Sequence, residues 1–271
     1  MLRNIKELEH YVVGATDGHV GHVQDLYFSD DSWVVRYLVV NSRSWLLGRN
    51  VLLSPVSIHD PNWIDRVLPV SLTKDQIKNS PGMDADKPVS RQHEMEYLDY
   101  YDYPYYWGGG GIWGAGLYPY TMTPGYGSYG VSGADYDSEL AAYARDERAR
   151  HRDDDPHLRS CNAVSGYQVH ASDGEIGHVS SMLIDEKTWA IRYIIVDTSN
   201  WWLGHKVLVA PEWITDVNWA DSSVTIDMSR QAIKDAPPYD STAQVNRERE
   251  SKLYQYYGRH GYWAEAALID S

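Results

Sequence analysis

Cysteine occurs once in the 271 residues, at Cys161, so no disulfide can close within the chain and a reducing compartment is favoured. No stretch approaches 18 consecutive apolar residues, which leaves no candidate bilayer span. The opening residues, MLRNIKELEHYVVGATDG, lack the apolar run of a signal peptide, and a cytoplasmic location is expected. Positive charge is scarce: the formal net charge is −14, so the chain as a whole repels nucleic acid and anionic membrane surfaces. Between Gln92 and Ala144 there is no Lys or Arg, while seven Asp or Glu occur. Phenylalanine is represented by Phe28 alone against 22 Tyr and 11 Trp, and twelve of the tyrosines fall between Tyr97 and Tyr143.

Catalytic signatures are missing as well. No G-x-S-x-G nucleophile elbow is present, and the Gly108–Gly111 run lacks the preceding strand and following Lys-Ser/Thr of a phosphate loop. Among the histidines only His22 and His178 recur in register, without partner carboxylates at zinc spacing. No catalytic, metal or cofactor site is therefore read, and no cofactor is expected.

What the chain does contain is itself, twice. Asp17–Leu53 returns 156 residues later as Asp173–Val209, and the match extends without a gap from Tyr11–Trp107 to Tyr167–Trp263, with 34 of 97 positions identical. A duplication of this kind sets the architecture before any local reading does.

Each copy reads as short strands. Asp17-Gly18 and Asp173-Gly174 suit a tight hairpin turn with both central residues at positive φ. Gly21 and Gly177, kept inside a strand pattern, predict a bulge or close backbone approach. Trp33–Val40 is apolar on both faces and reads as doubly buried, with Trp33 and Trp189 in the core. A strand over Trp45–Leu53 follows, then a turn carrying Trp63 (Trp219 in the second copy). Thr73 and Ser229 cap a short helix, with Gln76 completing a capping box in the first copy only. Ser90 and Asn246 open an amphipathic helix, followed in both copies by Tyr-Trp, Tyr106-Trp107 and Tyr262-Trp263; this helix is expected to pack on its barrel. Gly108–Gly133, rich in Gly and Tyr, reads as a tether without a core, dispensable for folding, ahead of a charged helix over 139–152. The expected architecture is mainly β: barrel 1 over 1–84, its helical extension over 85–107, a connector over 108–160, barrel 2 over 161–240 and its extension over 241–271.

Arg36 and Arg192 lie within apolar strands, so each guanidinium needs water or a carboxylate. Aspartates recurring in both copies, Asp17/Asp173, Asp60/Asp216 and Asp65/Asp221, are the expected partners. Arg36, Arg192, Asp17, Asp173, Asp65 and Asp221, together with Trp63 and Trp219, form the candidate structural or partner-binding set.

The ordered set DG-x2-G-x-V, W-x2-RY-x2-V and W-x-LG-x2-VL with a following proline, present twice, resembles the PRC-barrel domain. This is the small barrel of the photosynthetic reaction-centre H subunit and, in related form, of a ribosome maturation factor. The acidic position after the G-x-V turn is Asp25 in the first copy but Ser181 in the second, so no role needing that carboxylate is common to both. The resemblance implies a non-catalytic binding or assembly module for an unidentified protein partner, with the two barrels paired within one chain about a pseudo-two-fold axis. Nucleic acid and direct membrane insertion are not expected. The alternatives are a role in electron transfer like that of the H subunit, or in ribosome assembly.

Overall fold

The structure is a computed structural model that describes residues 1–42, 46, 50–81, 91–107, 111–114, 116–122, 157–198 and 205–264. The first part of the chain forms strands β1 (Leu2–Asn4), β2 (Val12–Ala15), β3 (Gly18–Ser29), β4 (Val34–Asn41), β5 (Asn50–Leu53) and β6 (Val67–Pro69), with helices α1 (Ile5–Leu8), α2 (Lys74–Asn79) and α3 (Arg91–Tyr100). The second part forms β7 (Leu158–Ser160), β8 (Gln168–Ala171), β9 (Gly174–Asp185), β10 (Ile191–Asp197), β11 (Lys206–Val209), β12 (Ile214–Asn218) and β13 (Ser223–Ile226). Its helices are α4 (Cys161–Val164), α5 (Arg230–Lys234) and α6 (Arg247–Tyr256). The protein is mainly β, with two sheets of six and seven strands, and neither strand order closes on itself among the described residues.

The chain divides into two compact units that are not contiguous in sequence. One comprises Glu7–Asn162 with Lys187–Ala190, the other Met1–Lys6, Ala163–Glu186 and Ile191–Ser271. Met1–Lys6 thus groups with the second copy, and the residues from Leu158 to Asn162 with the first. In the first-copy unit the sheet runs β5-β4-β3-β2-β6, and β7 from the second copy pairs with the end of β3. In the second-copy unit the order is β11-β10-β9-β8-β13-β12, and β1 from the first copy pairs with the end of β9. β1 and β7 are equivalent positions of the repeat, so each copy has given its leading strand to the other's sheet.

Local signals carry much of this arrangement. Thr73 Oγ1 accepts from the amide of Gln76 and the capping box is complete, while Ser229 caps α5 alone. Asn246 caps α6 by accepting from the Arg249 amide at 3.0 Å. A Cβ on Gly21 would lie 1.9 Å from the Asn41 carbonyl oxygen, and one on Gly177 would lie 2.0 Å from that of Asp197, so the partner strand passes where no side chain fits. Val34–Val40 is buried at every position. The hairpin turn differs from expectation: Ala15 pairs with Gly18, which leaves Thr16 and Asp17 as the loop, and only the glycine takes positive φ, at 141°. Asp17 instead turns its carboxylate onto the first amide of α2.

α3 and α6 pack on their sheets through Tyr97 and Leu98 and through Leu253 and Tyr254, all buried. Tyr97 Oη accepts from the Ser54 amide at 3.0 Å and donates to the Leu52 carbonyl at 3.3 Å, fastening the helix to β5. Trp189 is buried as expected, but Trp33 is only half-buried, at φ 53°, with its ring stacked on Phe28. The Ser90 cap, the segment around Trp45 and the charged helix over 139–152 lie outside the described residues.

The expectation that Gly108–Gly133 is a tether without a core is corrected in its described part. Trp113 and Met122 are buried, and a short 3-10 helix spans Pro119–Met122. The Trp113 indole donates to the Thr188 carbonyl at 2.7 Å. A buried tryptophan contributes enough area, with Met122, to anchor a segment rich in Gly and Tyr. Trp113→Ala is therefore expected to destabilise the protein by about 3–5 kcal/mol, the cost of truncating a buried Trp. Urea unfolding at unchanged m-value checks this, and a loss below about 1 kcal/mol would return the segment to the status of a tether.

Candidate functional site

Arg36 and Arg192 each sit in a constellation built on the same plan within its own unit. β4 carries Arg36 into the interior, where it is 3% exposed. Its Nε donates to Ser29 Oγ at 3.1 Å, Nη2 to Ser32 Oγ at 3.0 Å and Nη1 to the Ile112 carbonyl at 2.6 Å. The guanidinium plane lies over the Tyr106 ring at 3.7 Å and the Trp113 ring at 4.8 Å. Such stacking compensates a desolvated cation by the ring quadrupole. Tyr106 Oη in turn donates to Glu94 Oε1 at 2.6 Å, and Glu94, on α3, is fully buried. The imidazole Nε2 of His157, just ahead of β7, lies 2.6 Å from Glu94 Oε2.

The second-copy unit repeats the scheme. The Arg192 guanidinium lies 4.0 Å above the Tyr262 ring, and Tyr262 Oη donates to Glu250 Oε1 at 2.8 Å. Tyr193 Oη donates to the same oxygen at 2.9 Å. The position equivalent to His157 is Met1, and here Arg247 Nη1 approaches Glu250 Oε2 at 3.1 Å from within the helix itself. A different nitrogen-bearing side chain thus approaches the equivalent buried glutamate in each copy.

Burial sets the electrostatics. It pulls the Arg36 guanidinium below its ordinary value, offset by Tyr106, Glu94 and Asp31. It pushes the hydroxyls of Tyr37 and Tyr193 upward, reinforced by Glu94 and by Glu250 respectively. Tyr262 is pushed up to about 12, by burial first and Glu250 second, against the opposing pull of Arg192 and Arg247. Raised values keep these hydroxyls protonated and donating at neutral pH, the opposite of the lowered value that activates a nucleophile.

The expected aspartate partners of the arginines sit elsewhere. Asp17 and Asp173 are exposed and accept from the amides of Lys74 and Arg230 at 2.8 and 2.7 Å, at the starts of α2 and α5. Asp65 and Asp221 accept from Asn62 Nδ2 and Asn218 Nδ2 inside their own exposed turns. Trp63 and Trp219 are half-buried, each 6.2 Å ring to ring from Tyr11 and Tyr167. Each arginine instead meets the tyrosine of the Tyr-Trp extension packed on its strand, and Arg36 also reaches Ser29, Ser32 and the Ile112 carbonyl. The repetition of Glu94/Glu250 and Tyr106/Tyr262 was the signal in the sequence for this partnership.

A second constellation lies at the borrowed strands. Arg3 donates through Nε to Glu186 at 2.9 Å, and the equivalent Arg159 donates to Asp30 at 2.8 Å. Asp25 accepts from Ser160 Oγ and from the Asn162 amide, while the equivalent Ser181 donates to Asn4 Oδ1. The difference between Asp25 and Ser181 is thus matched by a change on the strand each one faces. Among the described residues, no group of three or more His, Cys, Asp or Glu is placed to share a metal ion, and no helix is long and apolar enough to cross a membrane. Comparison with family models gave no match, and comparison with curated proteins gave none.

Two titrations check these environments. Glu250→Gln removes the second-largest cause of the Tyr262 shift, so its midpoint is expected to fall toward the ordinary tyrosine value near 10, followed by NMR of ring-labelled tyrosine. An unmoved midpoint would detach Glu250 from the ring. For Asp25, burial raises the carboxyl value against the hydrogen bonds from Ser160, Leu26 and Asn162. A folded value above the unfolded one means stability is fully present below the unfolded value and is lost as pH rises through the folded one. Asp25→Asn keeps the hydrogen-bonding shape, so it is expected to exceed wild type in stability at neutral pH and to match it in acid below the ordinary carboxyl range. Equal pH profiles from urea unfolding would contradict this.

Proposed function

We propose that the chain is a non-catalytic binding and assembly protein of the bacterial cytoplasm, made of two PRC-type barrels that act through protein–protein contacts. The observation that carries this reading is the fate of the repeated polar residues. In both copies the arginine, tyrosine and glutamate contact one another, buried in the first copy and around the buried Glu250 in the second, with hydroxyls held protonated, so their recurrence reflects a shared scaffold. The PRC-type reading draws support from the motif order in both copies. It is also supported by the long strand β3, whose register shifts at Val23/Asp25 and Tyr27/Phe28 bend it in the way a small barrel requires. The reciprocal loan of β1 and β7 further suits an intramolecular counterpart of a strand-exchanged homodimer.

Capture of intact complexes from the source cell on the tagged full chain, followed by mass spectrometry, tests the reading. One defined protein at fixed stoichiometry, retained after nuclease treatment, is the expected outcome. Recovery of the chain with no companion protein would contradict it.

A further inference from the structure

We infer that the leading strand of each copy can also be donated in trans, so that a second copy of this chain is a binding partner through exchange of the strands Leu2–Asn4 and Leu158–Ser160. The inference stands on strand geometry and is independent of the reading of the chain as a partner-binding module.

Both acceptor edges are built alike. Leu2, Arg3 and Asn4 lie opposite Asp185, Ile184 and Leu183; Leu158, Arg159 and Ser160 lie opposite Ser29, Phe28 and Tyr27. These are the same positions of the repeat, in the same antiparallel register. The backbone bond beyond each strand is repeated too: the Glu186 amide donates to the Met1 carbonyl at 3.0 Å and the Asp30 amide to the His157 carbonyl at 2.9 Å. The ion pairs Arg3–Glu186 and Arg159–Asp30 occupy matching places.

Nothing in this chemistry distinguishes a donor strand of one chain from the same strand of a second chain. Each donor offers Leu-Arg and a short polar residue; each acceptor offers an acidic residue and a side chain that bonds a short polar group. A strand from a second chain would make every bond that the present strand makes. The segment joining donor to body is short, the four-residue helix α1 or α4, and the unit boundary falls inside each of them. Exchange in trans therefore replaces bonds one for one, and protein concentration competes only with the tethering of the two copies in one chain.

Charge reversal in the full chain tests this. One variant carries Arg3→Glu and Arg159→Glu, so both donor strands are acidic against acidic edges. The other carries Asp30→Lys and Glu186→Lys, so both edges are basic against basic strands. Alone, each is expected to melt below wild type. Refolded together, they can restore opposite charges at every junction only by exchanging strands between chains. A 1:1 heterodimer by light scattering, with the melting temperature raised toward wild type, is the expected result; unchanged monomers melting as they do separately would overturn the inference. Should either variant fail to fold, wild-type chains of two isotopic compositions, refolded together and weighed by native mass spectrometry, decide the matter. Mixed-mass dimers whose fraction rises with refolding concentration support exchange in trans, and monomer at every concentration overturns it.

Discussion

A buried strand edge has to be covered, and the rest of this structure follows from how that is done. β3 is twelve residues long, and β2 pairs only with its first part, from Gly18 to His22. β4 covers the other edge along most of its length. Beyond the reach of β2, the backbone of Tyr27, Phe28 and Ser29 would face the interior without partners, although all three residues are buried. Unpaired backbone groups in such a place cost about 1–3 kcal/mol each. β7 supplies the missing bonds, and β1 does the same for Leu183–Asp185 of β9. The flanking ion pairs are partly exposed and contribute roughly 0–1 kcal/mol apiece. Backbone satisfaction, more than charge, fixes the borrowed strands.

The same constraint explains why the interior of each unit can hold a cation. A strand with both faces covered places every second side chain against the layer above, and in β4 and β10 one of these is an arginine. The helix that forms this layer brings a glutamate, and the chain beyond it brings a tyrosine whose ring faces the guanidinium while its hydroxyl donates to the glutamate. The tyrosine thus contacts the guanidinium through its ring and the glutamate through its hydroxyl. In the first copy, the imidazole that approaches Glu94 comes from the residue just before the borrowed strand, so the buried cluster and the borrowed edge are linked there. In the second copy Arg247 takes that place.

What could be read from the sequence was whatever is decided within a few residues. The caps at Thr73, Ser229 and Asn246, the close approach at Gly21 and Gly177 and the doubly buried strand all follow from local rules, and the gapless repeat made two similar units legible. The origin of β1 and β7 was not. Leu-Arg-Asn and Leu-Arg-Ser are too short to show a period, and either could pair with its own copy or the other. Nor were the aromatic partners of Arg36 apparent, since Tyr106 is 70 residues away and the recurrent aspartates offered nearer alternatives. Trp113 was hidden by composition: a segment dominated by Gly and Tyr averages out the one side chain that anchors it.

Backbone NMR of the full chain addresses the reciprocal loan of strands most directly. Cross-strand contacts are expected from Leu2, Arg3 and Asn4 to Asp185, Ile184 and Leu183, and from Leu158, Arg159 and Ser160 to Ser29, Phe28 and Tyr27. Contacts from Leu2–Asn4 to Tyr27–Ser29 instead would mean that each copy keeps its own leading strand, and the exchange would be contradicted.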